Sequence, residues 1–212
     1  TFFLFGAWVV SSLRFASYST GWDLGWLGYE NAESYPTLVR NLPLAAYAVF
    51  TVSLFWSIFS RDVAKLRASK TMRVLLDLSV GLVIAGLILP HRFFLPLLWV
   101  VVAPSVVVLI WLTVRIFIKT GSHTAAWYGA SWIANLMGAL SEVAFASGIT
   151  SSKPPLVSSL GGAVVSALLA GIAIAQRLNS ERSGRLSAQA KTVSLLRRFR
   201  ENYNSMPVGL FS

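Results

Sequence analysis

Apolar residues in this chain come in long, nearly unbroken runs rather than as the single stripe of a water-soluble helix. Six runs stand out, from about Phe2 to Ser17, Leu42 to Phe59, Val74 to Leu89, Phe93 to Ile118, Ala125 to Gly148 and Leu156 to Ala175. Several approach the roughly 20 residues that carry a helix across the hydrocarbon core of a bilayer. None shows the segments of about ten alternating residues that mark a membrane β-barrel. The pattern predicts an all-α, polytopic transmembrane helical bundle with six spans. The first run is short for a span, as expected if the chain is an excerpt with a seventh span upstream. The last run passes without a proline stop into the polar stretch Gln176-Arg177-Leu178-Asn179-Ser180-Glu181-Arg182.

Composition supports the membrane class. The chain is 55% hydrophobic and only 12% charged, against roughly 25% charged in soluble domains. The net charge of +10 raises nucleic acid as a partner, but its distribution argues against that. Of the 18 basic residues, 14 lie in three places: between the second and third runs (Arg61, Lys65, Arg67, Lys70, Arg73), after the fourth (Arg115, Lys119), and after the sixth. Alternating spans put all three on one side, which the positive-inside rule identifies as cytoplasmic. The expected location is a membrane, with the lipid bilayer as the first partner and the C-terminus in the cytoplasm. The segment between the first two runs carries Trp22, Trp26, Tyr29 and Tyr35 with Gly21, Gly25 and Gly28. It suits an interfacial aromatic belt or a surface for an external ligand.

Ionisable residues inside spans are costly and so are candidates for function. Arg14, Asp77 and Glu142 are three such residues. Asn135 lies seven residues before Glu142, on the same helical face, with Gly138 between them. Arg14 and Glu142 fall at similar depth and are expected to pair. Asp77 is within reach of Arg73 at i−4. Each charge could fix packing or form an ion or ligand site. In the last run Gly162, Ser166 and Ala170 keep the four-residue spacing of close helix contact, within the bundle or between two copies. Pro104 falls mid-span and is expected to kink its helix. No phosphate loop, zinc-protease motif or nucleophile beside a histidine appears. With no cysteine, and with His91 and His123 on opposite sides of the membrane, no metal site or cofactor is expected, and this segment is not expected to be an enzyme.

Beyond the last span, Leu178, Leu186, Ala190, Val193, Leu196, Phe199 and Tyr203 recur at helical spacing as an imperfect coiled-coil stripe. This predicts a cytoplasmic signalling helix over 178–205 that pairs with its copy in a homodimer. Pro207 ends the pattern, and Val208-Gly209-Leu210-Phe211 suggests a first strand.

Three stretches carry a family resemblance. Lys119-Thr120-Gly121 with Ala125-Ala126-Trp127-Tyr128 and Ser131-Trp132, and the exit Ala173-Ile174-Ala175-Gln176-Arg177-Leu178-Asn179, resemble bacterial seven-transmembrane receptors with diverse intracellular signalling modules. Residues 199–211 are similar to the entry of a PAS domain. The resemblance implies a membrane bundle over 1–177, a linker helix over 178–205 and a truncated PAS-like domain over 206–212. It also implies an extracytoplasmic sensory domain upstream and an output domain downstream, such as one for cyclic di-GMP turnover or a histidine kinase, whose enzymatic activity would belong to the longer parent protein. Arg14, Asn135 and Glu142 would then couple inside the bundle, with Gln176, Arg177 and Asn179 at the cytoplasmic exit. A transporter or channel-like protein, with Asn135 and Glu142 lining a path, is the competing reading.

Overall fold

The computed structural model describes residues 2–19, 40–146 and 159–204, all helices and their short connections, with no strand among them. The helices are α1 (Phe2–Ser19), α2 (Leu42–Lys65), α3 (Ser69–Ile88), α4 (His91–Thr120), α5 (His123–Ala146) and α6 (Ser159–Asn204). The aromatic segment between α1 and α2 and the expected PAS entry lie outside the described residues. The chain divides into two units, Thr1–Ile174 and Ala175–Ser212.

Helices outlast the apolar runs that announce them. α2 continues past Phe59 through Arg61 to Lys65, and α3 begins at Ser69, so only Leu66, Arg67 and Ala68 connect them. Hydropathy reports the solvent a helix crosses, whereas backbone hydrogen bonding continues into water. Arg67 takes the left-handed conformation, φ 56°, that closes this turn. At the end of α4, Gly121 (φ 59°) takes the same conformation, and its N–H donates to the Phe117 carbonyl oxygen at 2.8 Å. That is a glycine C-cap. α4 runs as one helix across Pro96 and Pro104. The non-helical residue inside a span is instead Phe59 of α2 (φ −110°, ψ 17°).

α2 is the axis of the first unit. Its apolar stretch is 56% buried, twice the 28% of α3 and α4. Leu44, Ala45 and Ala48 of α2 meet Leu82 of α3 and Phe94, Leu98 and Val102 of α4 in one buried cluster. Further along, Phe55 and Phe59 pack on Tyr128 of α5, with ring centroids 5.8 and 5.5 Å away. The interior is mainly apolar but also takes in small polar residues, and the exterior is apolar as well. Ser79, Ser105, Thr113, Ser131 and Ser166 are buried, while Ile84, Ile88, Val100, Val107 and Ile118 are exposed. Small polar residues inside and large apolar residues outside suit a lipid solvent. α2, α3, α4 and α6 are each long and apolar enough to cross a membrane, and α1 is a shorter apolar helix. This is a multi-pass membrane protein.

The exposed side of α4 marks two levels. Arg92 lies over the Phe93 ring at 4.7 Å, and Arg115 over Trp111 at 4.4 Å. At 1.5 Å per residue they are about 35 Å apart, enough to set one guanidinium in each headgroup layer around a core of about 30 Å.

Candidate functional site

An aromatic cleft opens among α1, α2, α4 and α5, with a volume of about 540 Å³. Phe15 of α1 stacks on Tyr47 of α2 (4.7 Å, 28°) and meets Trp99 of α4 edge-on at 6.2 Å. α5 contributes Trp132 and Asn135, and Ser12 and Ser159 also line the wall. Trp132 is buried, and its indole N–H has no acceptor among the described residues.

Polar contacts around the cleft are few and local. Asn135 Nδ2 donates to the Tyr47 hydroxyl oxygen over a long 3.4 Å. On the far side of Tyr47, Trp8 Nε1 donates to Thr51 Oγ1 at 3.1 Å, and the Thr51 hydroxyl donates to the Tyr47 carbonyl oxygen at 2.7 Å. The buried hydroxyls of Ser79, Ser105 and Thr113 return to carbonyls four residues back in their own helices. The cleft's own lining is mainly aromatic and aliphatic, with Ser12, Asn135 and Ser159 as its polar side chains besides Tyr47 and Trp132. The cleft therefore suits an apolar occupant better than a hydrated one.

A second polar centre sits at the Pro90 turn, where sequence reasoning assigned nothing. Asn41, fully buried just before α2, donates from Nδ2 to the carbonyl oxygens of Gly86 (3.2 Å) and Leu89 (3.0 Å) at the end of α3. His91 Nδ1 lies 2.7 Å from Asn41 Oδ1. An amide oxygen only accepts, so His91 donates from Nδ1. One side chain thus caps α3 and ties it to the starts of α2 and α4. Gly86 makes room: a Cβ there would meet Phe94 at 3.3 Å and Asn41 at 3.4 Å. The available signal was a lone polar residue before Leu42-Pro43, where α2 starts, and a histidine in the opposite turn. Among the described residues, no group of His, Asp and Glu is placed to hold a metal ion.

The residues singled out from the sequence do not form one site. Asn135 lines the cleft, and Arg14, half-buried on α1, lies one residue from Phe15 of its wall. Glu142 is in α5, but its side chain, and with it the expected pairing to Arg14, lies outside the described residues. Asp77 is elsewhere, exposed on α3 beside Val74 and Leu78. The expected pairing with Arg73 does not form: both side chains are exposed, and no ion pair joins them. Helical side chains lean toward the N-terminus, which carries the long Arg73 chain toward the headgroup level. In the second unit Arg177 Nε contacts Glu181 Oε1 at 3.3 Å, Gln176 is half-buried and Asn179 is exposed.

The small-residue face of the last span has a clear use. A Cβ on Gly162 would lie 2.9 Å from the Ala134 carbonyl oxygen and 3.1 Å from Gly138 Cα. Ser166 and Ala170 are buried, and Gly171 faces Phe5 of α1. This face is taken up inside the bundle, by backbone contact with α5 and packing on α1, and is not available for dimerisation.

No family model matches the chain, and neither a curated protein nor a solved structure matches it.

Proposed function

We propose that these residues are the membrane-embedded signal-transducing part of a bacterial receptor. In this reading six spans lie in the inner membrane with the C-terminus in the cytoplasm. They couple an extracytoplasmic sensory domain to a PAS domain and an output domain, in a homodimer joined by the cytoplasmic helix. The carrying observation is α6. Its apolar part meets α5 at Gly162 and Gly138 with no side chain between them, and helix persists where the sequence turns polar at Gln176. A shift of α5 or α1 is transmitted to α6 through such a contact, because packed interfaces switch between discrete arrangements rather than deform smoothly. The mainly aromatic and aliphatic lining of the cleft favours signalling over transport. Arg14, Asn135 and Glu142 would then bias the arrangement of the bundle, and Gln176, Arg177 and Asn179 would pass it on.

The test is deletion of residues 180–205 in the full-length protein, with output activity measured with and without stimulus. The expected result is output fixed at one level. Output that still follows the stimulus overturns the reading, as does solute flux through proteoliposomes containing the purified chain.

A further inference from the structure

Among the described residues, Asp77 is the most costly on the outside of this bundle. It lies fourteen residues before His91, about 20 Å along the helix axis. With the Pro90 turn and Arg92 at one boundary of a core of about 30 Å, Asp77 is about 10 Å inside the other. A carboxylate on one methylene is too short to reach the headgroups from there. Around it on the exposed side of α3 are Val74 (56% exposed), Leu78 (47%), Val80 (46%) and Ile84 (56%). None offers a hydrogen-bond donor. Two carboxylate oxygens can accept about four hydrogen bonds, and the only donor within one turn on this face is Arg73, also exposed and not paired with it. Among the described residues of the first unit no other donor faces this carboxylate.

We propose that a second copy of this chain supplies the missing donors. Two α3 helices would meet about a symmetry axis parallel to the membrane normal, with Asp77 and Arg73 of both copies forming one cluster and the Arg73 guanidinium of each donating to the Asp77 carboxylate of the other. A two-fold interface must be self-complementary, and this strip carries both signs one turn apart. One turn beyond Asp77 is Gly81, exposed, where a Cβ would meet nothing within 4 Å. It is the small residue that lets two helix backbones approach in lipid. α3 is also one of the least buried of the apolar helices, at 28%. Lipid tails offer no donor at that depth, so lipid does not meet the need. The proposal requires only that the chain lies in a membrane, not that it is a receptor.

The absence of cysteine makes the test direct. Single cysteines at Val74, Gly81 and Ile84, and at the exposed control positions Val107 (α4) and Leu168 (α6), are placed in the full chain. Native membranes are then oxidised, and dimer is scored by its mass. The expected result is dimer from Val74→Cys, Gly81→Cys and Ile84→Cys and little from the controls. Adding Asp77→Asn lowers the dimer yield about tenfold, the scale of one or two interhelical hydrogen bonds in lipid. The exchange Arg73→Asp with Asp77→Arg restores it. Equal cross-linking at Val107 and Gly81, a yield unaffected by Asp77→Asn, or cross-linked species containing a different protein would each overturn the proposal. The readout is assembly, so a receptor that fails to signal leaves the result intact, and the reverse also holds.

Discussion

Replacing Asn41 with Ala removes three hydrogen bonds at once: those to the carbonyl oxygens of Gly86 and Leu89, and the one from His91. Each is worth about 1 kcal/mol net, and more where a buried partner is left unsatisfied. Asn41 is fully buried, so water cannot replace the lost amide. The expected loss is about 2–4 kcal/mol. For a chain of this size about 1 kcal/mol lowers the midpoint by about 2–4 °C, so Asn41→Ala should melt about 4–16 °C lower. His91→Ala removes one of the three bonds and should cost about a third as much. Asn41→Asp keeps an acceptor for His91 but points a carboxylate at two carbonyl oxygens, so at neutral pH it should be at least as damaging as Ala. The measurement is the midpoint in detergent, followed by tryptophan fluorescence at one scan rate. Equal midpoints for Asn41→Ala and His91→Ala would refute the reasoning, because the bonds to the end of α3 would then contribute nothing.

Gly162→Ala drives a methyl group into the Ala134 carbonyl oxygen and should cost about 1–3 kcal/mol as overpacking, whereas Gly184→Ala, in open space, should strengthen its helix by up to about 1 kcal/mol. The two can be compared by the same melts. Thr51→Val strands the indole N–H of Trp8, which is 3% exposed, and should cost about 1–2 kcal/mol. Thr51→Ser keeps the hydroxyl and should recover most of it. Arg67→Gly relieves a left-handed residue, a conformation that costs about 1 kcal/mol with a Cβ, so its midpoint should stay level or rise although a positive charge is lost.

What was legible in the sequence is what hydropathy encodes. The six helices follow from runs of apolar residues, and the ends that differ, at Lys65 and Ser69, differ because helices continue into water. The close contact of Gly162 was visible as spacing, but spacing alone cannot tell packing within a bundle from packing between copies. The Asn41 network was invisible because its partners are backbone carbonyls 45 and 48 residues away, and a carbonyl has no identity in a sequence. Lys119-Thr120-Gly121 has a local cause beyond any family likeness: a basic residue in the last turn and a left-handed glycine are what a helix C-terminus requires. Pro104 is exposed within α4, which stays helical across it, and the non-helical residue falls at Phe59, in the last turns of α2.

Taken together, the polar bonds between helices distinguish what is fixed in the first unit from what can move. Trp8 to Thr51 ties α1 to α2, Asn41 ties the start of α2 to α3 and α4, and Asn135 reaches Tyr47 from α5. These bonds converge on α2 or its N-terminal edge, and sliding α2 would break several of them together. α6 is held differently. Ser159 Oγ donates to the Ala16 carbonyl oxygen at 3.1 Å near its start, and beyond that Gly162, Ala163, Ser166, Ala170 and Gly171 give it a smooth surface of small side chains. Contacts along a surface of small side chains are dispersion contacts of about 0.1–0.2 kcal/mol each, individually weaker than the hydrogen bonds that hold α2. If this bundle carries a signal, the physical division assigns the fixed frame to α2 and the moving part to α6. A covalent link between α5 and α6, such as a disulfide between Gly138→Cys and Gly162→Cys, should then lock the output in one state while leaving the fold of α1–α4 unchanged. An output that still switches across that bond would place the moving part elsewhere.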